Sequence, residues 1–308
     1  MQWKWRQVRA SWQVVPSAAK TLYAPHMDST KRTRRREALI GRAARMAVPD
    51  AGFLHVEAAR IIGERLAVTN RRFEKPVLLF DGPFAEMIGK AVMEAGAPVD
   101  APFQPVPWPD VRNDTEILPL EPESVDLVIS VFDLQRMADL ATMLLQINHA
   151  LVPDGLFMAV LPAPGFLAEL RQALIETESV LSNAAANRIE HFHATSEIGN
   201  LMQQAGFRLV VTDFEEQVIR YRDVKRLLGD LRAAAATSLQ TAEAPALPRA
   251  ALATLEKTYG ERAGEPDGRI RASAGLTFAT GWKHAASQQQ PLKPGSATHR
   301  LDEYLKTK

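Results

Sequence analysis

The 308-residue chain contains no cysteine. That absence removes disulfide scaffolds, thiolate metal sites, iron–sulfur ligation and cysteine nucleophiles, and it permits a reducing compartment. Nor does any run approach the roughly 20 uninterrupted apolar residues of a membrane-spanning helix, so no membrane span is expected. An excess of one charge is missing as well: 37 Lys and Arg stand against 36 Asp and Glu. A balance of +1 provides no global field for gathering nucleic acid or an anionic membrane, and no nucleic-acid partner is expected. What is present, 46% apolar and 24% charged residues, is enough to build one large domain or two ordinary ones.

Residues 1–27 hold Lys4, Arg6, Arg9 and Lys20 without an acid, and they carry Trp3, Trp5 and Trp12 of the five Trp in the chain. Such a segment reads as a basic leader, either a transit peptide or a disordered tail with Met27 as the true start. The layout expected is a leader or tail over 1–29, one domain over 30–286 and a C-terminal tail over 287–308. Within that domain the run Lys31 to Arg36 reads as a solvated helix end, followed by Ala38, Leu39, Ala43 and Met46 at helical spacing.

Val56, Ala59, Ile62 and Leu66 form one stripe of an amphipathic helix over 55–67. After Pro76, Val77 to Phe80 reads as a strand ending in the turn Asp81-Gly82-Pro83, and Phe84 to Ala95 as a helix stopped by Gly96. The pattern repeats. Val125 to Val131 is a strand, Asp139 to Ala150 a helix, Gly155 to Leu161 a strand, Ser196 to Gln204 a helix and Phe207 to Val211 a strand. Strands apolar on both faces and separated by helices predict a parallel sheet covered on each side. Two stretches depart from the rhythm. Pro98, Pro102, Pro105, Pro107 and Pro109 crowd one segment, whose element must be short or irregular. Residues 220–260 read as a helical insertion before a last strand, Gly275 to Trp282.

In an open parallel sheet, ligands bind beyond the carboxyl ends of the strands, where a turn and a helix N-terminus present backbone N–H groups. Attention therefore falls on Asp81-Gly82-Pro83, although Gly82 is its lone glycine and a plain strand-ending turn reads the same. Asp100 lies 19 residues after Asp81, about the interval at which a doubly wound fold places an acid on a ribose diol. Asp114 precedes Ile117-Leu118-Pro119-Leu120. Taken singly, each acid also reads as a loop or cap residue. Glu190, His191 and His193 form an E-H-x-H cluster without a third ligand at predictable spacing, which reads as a polar lid segment.

The runs Asp114-Thr115-Glu116-Ile117-Leu118-Pro119-Leu120 and Ser124-Val125-Asp126-Leu127-Val128-Ile129-Ser130 resemble a signature of class I S-adenosylmethionine-dependent methyltransferases. Leu151-Val152-Pro153-Asp154-Gly155-Leu156-Phe157 resembles the turn L-K-P-G-G-x-F of that family. Further along, Glu169-Leu170-Arg171, Gln204-Ala205-Gly206-Phe207, Asp267 to Ala272, Gly281-Trp282-Lys283, Ser287-Gln288-Gln289 and Pro294 to Ala297 resemble one branch. It is the branch of the methyltransferase-like mitochondrial complex I assembly factor and its alphaproteobacterial relatives.

The resemblance implies a seven-stranded, mostly parallel, doubly wound α/β sheet of Rossmann-like type with a helical insertion. It also implies S-adenosylmethionine as cofactor. Asp81 and Gly82 would lie in the cofactor turn, Asp100 near the ribose hydroxyls, Asp114 at the adenine amine, and the Thr115 backbone N–H toward the ring. The chain departs from the family at the glycine-poor turn and at Leu134-Gln135-Arg136, where an aromatic is expected beside the cofactor. The function implied is modification of a protein side chain, a complex I subunit being the candidate partner; the alternative is a non-catalytic assembly protein with a degraded cofactor site. The location implied is cytoplasmic, or the mitochondrial matrix if the leader is a transit peptide.

Overall fold

The computed structural model describes residues 29–46, 52–79, 82–112, 115–182, 188, 192–237, 248 and 251–289. Its elements run α1 (Ser29–Ala43), α2 (Phe53–Ala67), β1 (Pro76–Leu79), α3 (Ala85–Glu94), β2 (Gln104–Val106), β3 (Asp110–Arg112), β4 (Thr115–Ile117) and β5 (Val125–Val131). They continue with α4 (Leu140–Ala150), β6 (Leu151–Pro162), α5 (Ala168–Ser182), α6 (Thr195–Gln204), β7 (Phe207–Tyr221), α7 (Val224–Ala233), α8 (Ala251–Ala263) and β8 (Ile270–Lys283). The predicted leader, residues 1–28, and the tail beyond Gln289 lie outside the described residues.

The strands form one six-stranded sheet in the order β2-β1-β5-β6-β8-β7. β2, β1, β5 and β6 pair in parallel, and β8 runs antiparallel between β6 and β7. Alternation along each strand divides the core into two layers, as the two-residue period of a pleated strand requires. Val77, Leu79, Val128, Phe157, Ala159 and Leu161 face the side covered by α4 and α6. Leu78, Leu127, Ile129, Val131, Met158 and Val160 face the side covered by α2 and α3. Every residue of β5 is buried, and each such aliphatic side chain contributes about 1.5–3 kcal/mol by leaving water. Helices α2 and α3 pack closely because Gly63 has no side chain: a Cβ there would stand 2.5 Å from the Val92 carbonyl oxygen.

The doubly wound, mostly parallel sheet expected from the sequence is borne out, with one correction in the strand count. The main sheet has six strands, not seven. After β2 the chain carries Pro107 and Pro109, which have no N–H to give to a ladder. The following strand, β3, pairs antiparallel with β4 as a separate two-stranded sheet. β2 itself contains Pro105 and forms the sheet edge, where a proline is tolerated. The last strand is antiparallel as expected, and it is longer than the apolar run that announced it, spanning Ile270–Lys283.

Several motif residues act as joints of this frame. Asp126 accepts hydrogen bonds from the Glu74 and Lys75 amides at 2.7 and 2.9 Å, fastening the start of β1 to β5. Asp139 caps α4 through the Thr142 amide at 3.0 Å. Glu169 accepts from the Ser273 hydroxyl at 2.7 Å, and Lys283 donates to the Leu151 carbonyl at 2.7 Å.

Candidate functional site

β1 has β2 on one side and β5 on the other. The chain therefore leaves β1 toward one sheet edge and returns to build the other half, which makes the carboxyl ends of β1 and β5 a topological switch point. A crevice for a ligand belongs there. At the end of β1 the described chain resumes at Gly82, whose carbonyl accepts from the Ala85 amide at 3.1 Å as α3 begins. Gly82 thus stands in a turn entering a helix N-terminus, where an anionic or polar ligand group meets free N–H groups. Pro83, the next residue, has no N–H to add.

The other residues expected at the cofactor are distributed differently. Asp81 and Asp114 lie outside the described residues. Thr115 opens β4 and stands in register with Arg112 of β3, in the small hairpin sheet beside the crevice. Asp100 comes before β2, not after it, and its amide bonds to the Phe73 carbonyl at 2.8 Å, ahead of β1. Because β1 and β2 are parallel, Asp100 stands at the amino ends of the strands, away from the switch point. There its carboxylate forms a bidentate pair with Arg72, with contacts at 2.9 and 3.0 Å. The Arg72 guanidinium holds that carboxyl below its usual range. A 19-residue interval placed Asp100 by counting through an irregular loop, whereas the strand it was meant to follow begins only at Gln104.

At the end of β2 stands an aromatic that spacing did not reveal. Leu79 is in register with Val106, so Trp108, two residues further on, projects beyond the carboxyl edge. The Arg36 guanidinium lies 4.5 Å from the centre of its ring and that of Arg136 lies 6.0 Å away. Arg36 corrects the reading of the basic run as a solvated helix end: it is 1% exposed in the middle of α1. It pairs at 2.9 Å with Glu116, which is also buried and accepts from the Ala138 amide at 2.8 Å. Gln146 completes this wall, accepting from the Leu118 amide and donating to the Glu116 carbonyl, both at 2.8 Å. Thus the aromatic missing at Leu134-Gln135-Arg136 has a counterpart in Trp108 on a neighbouring loop.

From the crevice the site continues past the ends of β5 and β6 into a cavity of about 300 Å³. His55 of α2 links the two. Its ring centre lies 5.0 Å from Phe84 at the start of α3 and 5.1 Å from Phe132 at the end of β5, the latter edge to face. Burial, and then the charge of Arg136, push the His55 imidazole down to about 3, so it is neutral at ordinary pH. Phe132 adopts φ 57°, a left-handed conformation that costs a non-glycine residue of order 1–3 kcal/mol and that concentrates at functional sites. Its amide bonds across to Val160 at 3.0 Å, which holds the bend. Among the described residues no group of three or more His, Cys, Asp or Glu side chains is arranged to hold a metal ion. Of the E-H-x-H cluster, Glu190 and His191 lie outside the described residues, and His193 pairs with Glu197 at 3.0 Å.

Sequence comparison bears out the resemblance read from the motifs. The chain is 31% identical over 192 residues to a Danio rerio protein named arginine-hydroxylase NDUFAF5, mitochondrial, covering 62% of this chain and 60% of that one. The human protein of the same name is 30% identical over 193 residues, covering 63% of this chain and 56% of its own length. A malonyl-[acyl-carrier protein] O-methyltransferase of Gallionella capsiferriformans is 32% identical over 176 residues, covering 57% and 58%. The chain spans about three fifths of the length of the curated relatives it matches. Among solved structures, a loganic acid methyltransferase aligns over 88% of this chain and 99% of its own at 12% identity, with a TM-score of 0.43. No protein-family model matches the chain.

Proposed function

We propose that this protein binds S-adenosylmethionine at the switch point between β1 and β5 and methylates a protein side chain, a complex I subunit being the candidate substrate. The observation that carries the reading is the continuity of the crevice with the cavity: Phe84 beside the Gly82 turn, His55 and Phe132 form one chain of ring contacts from one to the other. A donor bound at the turn and an acceptor in the cavity would thus share a wall. When bound, the cofactor supplies a sulfonium methyl already activated for in-line transfer, so the protein has mainly to position the acceptor. Gly82, with Asp81, would face the methionine part, and Asp114 with the Thr115 amide the adenine. Trp108 would lie along the ring, and Asp100 drops out because it stands at the opposite edge of the sheet. The place in complex I assembly rests on the branch motifs and on the similarity to the mitochondrial proteins named above.

The donor set fits the cofactor in part. Gly82 leaves the turn open, but Pro83 removes one N–H and fixes φ near −65°, so we expect a dissociation constant in the high micromolar range. Pro83 also favours the second reading, an assembly protein that keeps the fold without catalysis. Labelled methyl transfer separates the two: the protein is incubated with methyl-labelled S-adenosylmethionine and partly assembled complex I, and the subunits are resolved. A labelled subunit supports the enzyme. No label in any subunit, with assembly still dependent on the protein, supports the non-catalytic reading.

A further inference from the structure

We infer that the cavity beside the crevice receives a phenolic ring, such as a tyrosine side chain, and turns away a cationic one; the inference rests on the reading of the crevice as a methyl-donor site and names the acceptor opposite it. The cavity measures about 300 Å³ and its walls are mostly apolar, with Phe132, Phe166, Phe192, Leu228, Leu231 and Leu255 among them. An apolar site of about 150 Å³ already accepts benzene, so a phenol and its methylene fit. Two wall pairs are edge to face: His55 with Phe132 at 80° and Phe166 with Phe192 at 82°. A ring entering between them extends an arrangement that aromatic side chains favour.

The polar groups decide which ring. His55 Nδ1 is buried at the cavity wall without a hydrogen-bond partner in the protein, a cost that one ligand oxygen would relieve. Arg136 also lines the cavity and donates to the Ala234 carbonyl at 3.3 Å. Its charge is felt at His55, whose imidazole it helps to keep neutral. The one carboxylate on the wall, Asp230, pairs with Arg226 at 3.2 Å, and Arg188 of the wall pairs with Glu178 at 2.6 Å. An entering lysine or arginine side chain would therefore lose its water, meet Arg136, and find no uncommitted carboxylate among the described lining residues. A phenol meets the opposite conditions. Its ring is covered by the walls, its single oxygen has a partner in His55, and a nearby guanidinium favours its ionised form.

The test is a titration of the full chain, without cofactor, by p-cresol, toluene and benzylammonium, and by capped Gly-Tyr-Gly and Gly-Arg-Gly peptides. We expect p-cresol to bind at least threefold more tightly than toluene and at least tenfold more tightly than benzylammonium. Arg136→Gln should narrow the second ratio, and Leu231→Trp, which fills the cavity, should abolish p-cresol binding while the melting temperature stays near native. Tight binding of the tyrosine peptide assigns the ring to a protein substrate, and binding of p-cresol alone assigns it to a free phenol; both uphold the phenolic site. Benzylammonium or the arginine peptide binding as tightly as p-cresol overturns it, as does p-cresol binding unaffected by Leu231→Trp. Because no cofactor is present, these outcomes stand apart from failure of the methyl-donor reading, which a separate titration with S-adenosylmethionine reports.

Discussion

Acidification should reveal His55 as a conformational weak point of the site. Burial, then Arg136, hold its imidazole at about 3 in the folded protein against 6.5 when exposed. Between these values the unfolded chain binds a proton that the native state refuses, so stability increases with pH across the window and is lost as pH falls below about 6.5. One pKa unit corresponds to about 1.4 kcal/mol. The loss from this group alone is therefore about 2 kcal/mol by pH 5 and roughly 4–5 kcal/mol by pH 3. Carboxylates also titrate in the lower part of that range, so the comparison is with His55→Gln, which stays neutral throughout. Urea unfolding of both proteins at pH 7.5, 6 and 5 should show the native form losing about 2 kcal/mol more than the variant by pH 5. Parallel stability curves would refute the reasoning, and so would an imidazole that titrates near 6.5 by NMR in the folded protein.

Removing Glu116 leaves Arg36 buried without its carboxylate, so Glu116→Ala should cost about 3–5 kcal/mol in urea unfolding. Replacing both with Arg36→Met and Glu116→Leu should cost clearly less than Glu116→Ala alone, because apolar partners replace the pair. Asp114→Ala should weaken binding of S-adenosylmethionine by about 1–3 kcal/mol in a calorimetric titration; an unchanged constant would show that the adenine is held elsewhere. Restoring the turn with Pro83→Gly and Ala85→Gly should tighten cofactor binding about tenfold or more, equivalent to about 1.4 kcal/mol, and a native protein already binding at low micromolar concentration with no gain on restoration would remove the degraded-turn argument.

The parts of the fold legible in the sequence are those governed by short-range rules. β5 was visible at both ends because Val125 to Val131 is an unbroken apolar run, and α4 because Asp139 caps its start. Longer strands were underread: β7 reaches Tyr221, with alternating exposed residues that weaken the apolar signal beyond Val211. The site was legible only where it follows the chain locally, at Gly82 and Thr115. Asp100 was misplaced because spacing cannot register where an irregular, proline-rich segment resumes as a strand. Arg36, Trp108 and Glu116 meet across separations such as the 80 residues between Arg36 and Glu116, and a basic run gives no sign that one of its members is buried. His55 looked like one polar position in an amphipathic helix; only packing against Phe84 and Phe132 distinguishes it.

The claim at the centre of the account is that the turn at the end of β1 holds S-adenosylmethionine. Calorimetric titration of the native protein and of Gly82→Val with S-adenosylmethionine and S-adenosylhomocysteine tests it directly. The account predicts saturable binding of both ligands to the native protein in the high micromolar range and loss of both in the variant, whose branched side chain would occupy the ligand's path while leaving the melting temperature near native. No binding to the native protein, or binding that Gly82→Val leaves unchanged, would contradict it.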